Sequence, residues 1–182
     1  MMLKSYFQNK IHEAGCDEVG RGCIAGPVVA GAVILPKNYK NDDIKDSKLI
    51  STKKRKLLDL EIKKNALAWS IGLVNNKQID KLNILKSSIL AIQKAINKLK
   101  ITPRFIIVDG NQFEPLNDIP YKCIIKGDNK FLSIAAASII AKNYRDKLMI
   151  NLSKKYKMYS WETNYGYPTR SEERRVGKEC ER

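Results

Sequence analysis

Residues 13–35 read EAGCDEVGRGCIAGPVVAGAVIL. The stretch holds two strand-like halves. Glu13 to Val19 is strand-like and ends in Gly20-Arg21-Gly22. Pro27 to Leu35 is a nearly continuous apolar run closed by Pro36; its length and β-branched content predict a buried strand. Two early strands of this kind predict a sheet, and the segments that follow supply its helices.

Lys37 to Lys48 is polar loop. Ser51 is a fitting N-cap for a helix through Lys64, with Leu57, Leu58 and Ile62 on one side. Ala66 to Val74 reads as a strand. Ile79 to Leu99 repeats apolar residues at helical spacing, with lysines opposite, and predicts one amphipathic helix ahead of Pro103. Arg104 to Asp109 and Tyr121 to Lys126 are short strands. Phe131 to Tyr156 is a long helix whose start, Ser133-Ile134-Ala135-Ala136-Ala137-Ser138, is small enough to lie close against a sheet. The order β-β-α-β-α-β-β-α predicts an α/β fold with helices on the faces of the sheet.

Composition narrows the function. Lys+Arg 34 against Asp+Glu 19 gives a net charge of +15 over 182 residues, which favours polyanionic partners. The hydrophobic content of 43% argues against a disordered basic tail. No apolar run approaches the roughly 18 residues of a membrane span, and Met1 to Lys10 lacks a signal-peptide core. The four cysteines form no CxxC pair, and His12 is the single histidine. A reduced, cytoplasmic, soluble domain is expected, with hydrolytic chemistry carried by carboxylates.

Three carboxylate sites stand out. Asp17-Glu18 lies in a strand, Asp109 closes another, and Asp128 follows Lys126-Gly127 before the long helix. Ligand sites of α/β sheets gather at strand ends, and acids ending apolar strands are costly unless paired. A single Asp-Gly is more often a turn than a ligand. Adjacent carboxylates in a strand point to opposite faces, so one of Asp17 and Glu18 is buried. Four carboxylates can hold two hard divalent ions and support phosphodiester hydrolysis. Gly20, Gly22 and Gly26 do not match the spacing of a dinucleotide-binding turn, and Pro27 opposes the helix such a turn requires.

Cys16-Asp17-Glu18-Val19-Gly20-Arg21-Gly22 with Ala25-Gly26-Pro27-Val28-Val29 resembles the opening signature of the type 2 ribonuclease H family, ribonuclease HII. The resemblance continues through Asp46-Ser47-Lys48, Ile79-Asp80, Asn83-Ile84, Val108-Asp109-Gly110-Asn111, Lys126-Gly127-Asp128, Ser133 to Lys142, Arg145-Asp146 and Gly166-Tyr167 with Thr169. It implies a ribonuclease H-like mixed sheet flanked by helices. It also implies a metal-dependent endonuclease that cuts the RNA strand of RNA–DNA hybrids, and 5′ of single ribonucleotides in duplex DNA, leaving 3′-OH and 5′-phosphate ends. By the same resemblance, Asp17, Glu18, Asp109 and Asp128 are the catalytic carboxylates and hold two divalent ions, Mg²⁺ or Mn²⁺. Gly20-Arg21-Gly22 would read the ribose 2′-OH through its backbone, with Tyr167 as its partner. Lys48 and Arg21 would contact phosphate, with Asn83 and Ser138 as further substrate contacts. Asp146 aligns with a family aspartate and is expected to be structural. A monomer acting on hybrid and ribonucleotide-containing duplex, without a membrane, is expected.

Two departures accompany the resemblance. Pro168 follows Tyr167 where the family often has glycine. Residues 170–182, RSEERRVGKECER, carry four of the eight arginines and resemble the in-frame translation of a sequencing-library adapter. The expected division is therefore a catalytic domain over 1–169, incomplete at its C-terminal end, and a non-native tail over 170–182. The other functions considered are a type 3 ribonuclease H, which shares the carboxylate set, and a non-catalytic basic nucleic-acid-binding module. Four acids at strand ends inside a basic protein have no purpose in the latter.

Overall fold

A computed structural model describes residues 3–8, 12–45, 47–115 and 118–169; Asp46 and the segment 170–182 lie outside the described residues. Strands β1 (Glu13–Val19) and β2 (Val28–Ile34) come first. Helix α1 (Thr52–Asn65) and β3 (Ala68–Val74) follow, then helices α2 (Asn76–Leu82) and α3 (Ile84–Asn97). Strands β4 (Phe105–Asp109) and β5 (Tyr121–Ile124), the long helix α4 (Leu132–Lys155) and the short α5 (Trp161–Asn164) complete the order. The sheet runs β3-β2-β1-β4-β5. β1–β2 and β2–β3 pair antiparallel, while β1–β4 and β4–β5 pair parallel. This is the mixed α/β sheet expected, with α4 and α1 on one face and α3 on the other.

Two local expectations change. The amphipathic stretch 79–99 is two helices, not one. Asn83 adopts φ 71°, ends α2, and caps α3 by accepting the Lys86 amide. Asparagine tolerates positive φ and its side chain satisfies an orphan amide, so it breaks a helix that apolar periodicity alone would continue. In α1, Ser51 caps as expected, and Leu58 and Ile62 are buried, but Leu57 is 62% exposed. Adjacent positions lie about 100° apart on a helix, and the face α1 turns toward α4 takes Leu58 alone of the pair.

Alternation along β1 sets the site. Gly15 faces α4, and a β-carbon there would lie 2.4 Å from the Ser133 carbonyl carbon. On β2, one at Gly31 would lie 2.5 Å from the Ala137 carbonyl oxygen. Bare strand positions opposite the Ala/Ser-rich start of α4 let helix and sheet backbones approach closely. Cys16 faces the other way, into the cluster of Ala91, Ile92, Ala95 and Ile96 on α3. Asp17 therefore lies on the α4 side and Glu18 on the α3 side.

Candidate active site

The parallel register of β1 and β4 ends at Cys16 opposite Val108. One residue further, Asp17 stands beside Asp109. Asp109 is in turn the neighbour of Ile124 on β5. The chain beyond β5 enters a tight turn, Gly127–Asn129, entered through Lys126 in the left-handed region. That turn returns Asp128 to the same strand ends, and the Gly127 amide donates to Asp109 Oδ1 at 2.6 Å. The four carboxylates singled out in the sequence thus meet at the ends of β1, β4 and β5.

Their charges interact. Asp17 is buried, and burial followed by the charges of Glu18, Asp109 and Asp128 holds its carboxyl well above the usual range, against a hydrogen bond from Ser138 that lowers it. Burial also raises Glu18, offset by an ion pair to Arg21 at 3.0 Å. Asp17 Oδ1 accepts the Glu18 amide at 2.7 Å. Among the described residues no three such side chains converge as a ready-made ligand cage. The acids are neighbours in charge, each engaged by an amide, a hydroxyl, an amide side chain or a guanidinium. A hard, all-oxygen donor set whose members repel one another suits divalent cations such as Mg²⁺ or Mn²⁺.

A second assembly lies beside the first. Gly20 has φ 110°, a conformation that side chains other than glycine rarely adopt. A β-carbon on Gly22 would meet nothing, so the backbone of the Gly20-Arg21-Gly22 loop is open to an approaching ligand. The Gly166 carbonyl accepts the amides of Ile24 (2.9 Å) and Ala25 (3.3 Å), which brings Tyr167 to this loop. Tyr167 hydrogen-bonds Cys23, and both hydroxyl and thiol are raised chiefly by burial. Arg145, fully buried, fixes the pairing. Its Nε donates to Pro27 O at 3.0 Å, Nη2 to Ala25 O at 2.9 Å and Nη1 to Tyr165 O at 2.8 Å. Lys142 Nζ lies 5.1 and 5.2 Å from the ring centroids of Tyr165 and Tyr167.

The family described as Ribonuclease HII matches residues 14–181. The ribonuclease HII of Parabacteroides distasonis is 53% identical over 169 residues, covering 93% of this chain and 85% of that protein. That of Bacteroides thetaiotaomicron is 50% identical over 93% and 84%. The chain belongs to the ribonuclease HII family. It is accordingly a metal-dependent ribonuclease H endonuclease, a hydrolase acting on nucleic acid. The crystal structure of ribonuclease H2 from Pyrococcus horikoshii matches with a TM-score of 0.77 at 26% identity, over 93% of this chain and 87% of that one. Bst-RNase HIII in complex with Mn²⁺ matches with a TM-score of 0.68 at 22% identity, over 81% and 56%, and shares the fold. Among the described residues no helix is long and apolar enough to cross a membrane.

Within this ribonuclease HII fold, the remaining sequence candidates take distinct places. Lys48 is exposed on the turn Ser47–Leu49. Asn83 sits exposed at the cap of α3. Ser138 is buried beneath Asp17. Asp146 is buried, with Arg55 Nη2 at 2.6 Å and Lys142 Nζ at 2.7 Å, an arrangement that ties α4 to α1. Sequence reasoning assigned no role to Arg145, Lys142 or Cys23. The signal available for the first two was their spacing with Asp146 on α4: residues 142, 145 and 146 share a helix face.

Proposed function

We propose that this enzyme cuts the RNA strand of RNA–DNA hybrids and also nicks duplex DNA 5′ of a single embedded ribonucleotide, leaving 3′-OH and 5′-phosphate ends. The observation that carries this is the adjacency of the carboxylate cluster and the Gly20-Arg21-Gly22/Tyr167 assembly, joined within β1 and its outgoing loop. One assembly supplies hydrolysis; the other offers exposed backbone polar groups and a tyrosine, which suit a single 2′-OH and its neighbouring sugar.

Asp17, Glu18, Asp109 and Asp128 would hold two divalent cations, Mg²⁺ or Mn²⁺. Cations so held supply Lewis-acid chemistry for in-line attack of water on the phosphodiester. The protein's own contribution is placement. The amides of Glu18 and Gly127 orient Asp17 and Asp109. Arg21 neutralises Glu18 until the substrate arrives. Exposed Lys48 would bind a phosphate, and the surplus of lysines would gather duplex with strong salt dependence. Asn83, at the exposed start of α3, would meet the flanking backbone, and Ser138 would act next to Asp17. A monomer working in the cytoplasm on ribonucleotides left in DNA fits this chemistry.

A Mg²⁺-dependent nicking assay on duplex DNA with one ribonucleotide tests the proposal. A single cut 5′ of the ribonucleotide is expected. Cleavage of long hybrids without cleavage at the lone ribonucleotide would overturn the finer specificity.

A further inference from the structure

Two buried hydroxyls form a chain that ends on a carboxylate of the site. Ser47 and Ser138 are 2% and 4% exposed, and their oxygens lie 2.9 Å apart. Ser138 also hydrogen-bonds the Asp17 carboxylate. The direction of the chain follows from proton count. An ionised carboxylate only accepts, so the single Ser138 proton goes to Asp17, and Ser47 must donate to Ser138. The arrangement is specific to this pair. Ser133, the neighbouring buried serine of α4, has no hydrogen-bond partner for its hydroxyl. The relay crosses 91 residues of sequence and begins on the turn that carries Lys48. The same turn is held from its other side, where Arg55 Nη1 donates to Ser47 O at 3.3 Å and Nη2 pairs with Asp146 at 2.6 Å.

We propose that Ser47 is a positioning residue that orients Asp17 through Ser138, so that nucleic acid on the Lys48 turn and a divalent cation at Asp17 strengthen each other's binding. This rests on the function proposed above for the ends of the relay. Its physical basis is that partners behind a ligating carboxylate fix its orientation and basicity. One rigid turn carries both the phosphate-facing lysine and the first hydroxyl of the relay, so anything that orders the turn orders Asp17. Linkage then makes the effect reciprocal.

The test measures Mn²⁺ binding to the full chain by the loss of the free-ion electron paramagnetic resonance signal. It is run with and without an all-DNA duplex, which is not cut. For the unaltered chain, duplex should tighten Mn²⁺ binding about fivefold or more. Ser47→Ala should weaken Mn²⁺ binding about tenfold and abolish the tightening, while Ser47→Thr, which keeps the hydroxyl, restores both. Ser138→Ala, which leaves the turn intact, should behave as Ser47→Ala. Unaltered Mn²⁺ binding and unaltered tightening in both alanine variants would overturn the proposal. So would loss of the thermal unfolding transition in both, which would assign the pair to stability. Absence of cleavage at a lone ribonucleotide leaves these isotherms untouched, so the two proposals fail separately.

Discussion

Arg145 donates from Nη2 to the carbonyl oxygen of Ala25 at 2.9 Å, joining the middle of α4 to the loop that leaves β1, 120 residues away in sequence. Two further bonds from the same guanidinium reach Pro27 and Tyr165. One buried cation with only carbonyl partners thus sets the distance between the glycine loop and Tyr167.

Replacing that cation with another should not suffice. Arg145→Lys keeps the charge but cannot span three carbonyls, since the planar fork is what reaches them. Equilibrium urea unfolding should show a loss of about 3 kcal/mol, the scale of charged hydrogen bonds left unmade in a buried site. Hybrid binding should weaken with it. Unchanged stability would mean that the three carbonyls are satisfied by other means.

Asp17→Asn should abolish cleavage while hybrid binding stays measurable by anisotropy. The substitution removes an anionic donor at the centre of the cluster and preserves the acceptor for the Glu18 amide. Undiminished turnover would remove Asp17 from the catalytic set.

The same variant carries a pH signature. The Asp17 carboxyl is raised by burial and by its acidic neighbours. A raised acid contributes stability that is complete below its unfolded value and is lost as pH rises through the folded one. In metal-free buffer, Asp17→Asn should therefore melt above the parent at pH 7, and the difference should vanish toward pH 4. Added Mg²⁺ should narrow the gap by stabilising the parent alone.

Lys48→Ala should weaken hybrid binding across sequences and reduce the slope of log K against log salt by about 1. A slope equal to that of the parent would place Lys48 off the phosphate backbone.

Gly72→Ala tests the close packing on the other face of the sheet. A β-carbon there would stand 1.9 Å from the Ala91 carbonyl oxygen of α3. Backbone cannot yield as a side chain can, so destabilisation at the upper end of the overpacking range, about 3 kcal/mol, is expected by thermal or urea unfolding.

Much of this architecture is legible in the chain because its signals are local. The apolar run 27–35, the Ser51 cap and the small-residue start of α4 each report on their own neighbourhood, and each becomes the element they indicate. The break at Asn83 was hidden because apolar periodicity continues across it. Only the capping bond and positive φ reveal two helices. Leu57 was assigned to the buried side of α1 because a helix shows its apolar residues but not how wide a stripe its neighbour covers.

The acids at 17, 18, 109 and 128 announce themselves by sitting where apolar strands stop, so the sequence by itself determined the chemistry of the site and the sheet that displays it. Only the tertiary structure decided how those acids are oriented and what stands behind them. The parallel register sets Asp17 beside Asp109, Arg145 ties Tyr167 to the glycine loop, and Ser47 reaches Asp17 through Ser138. These are contacts between segments about ninety or more residues apart. Such contacts depend on strand register and helix seating, which emerge when all faces are buried together and which no local pattern encodes.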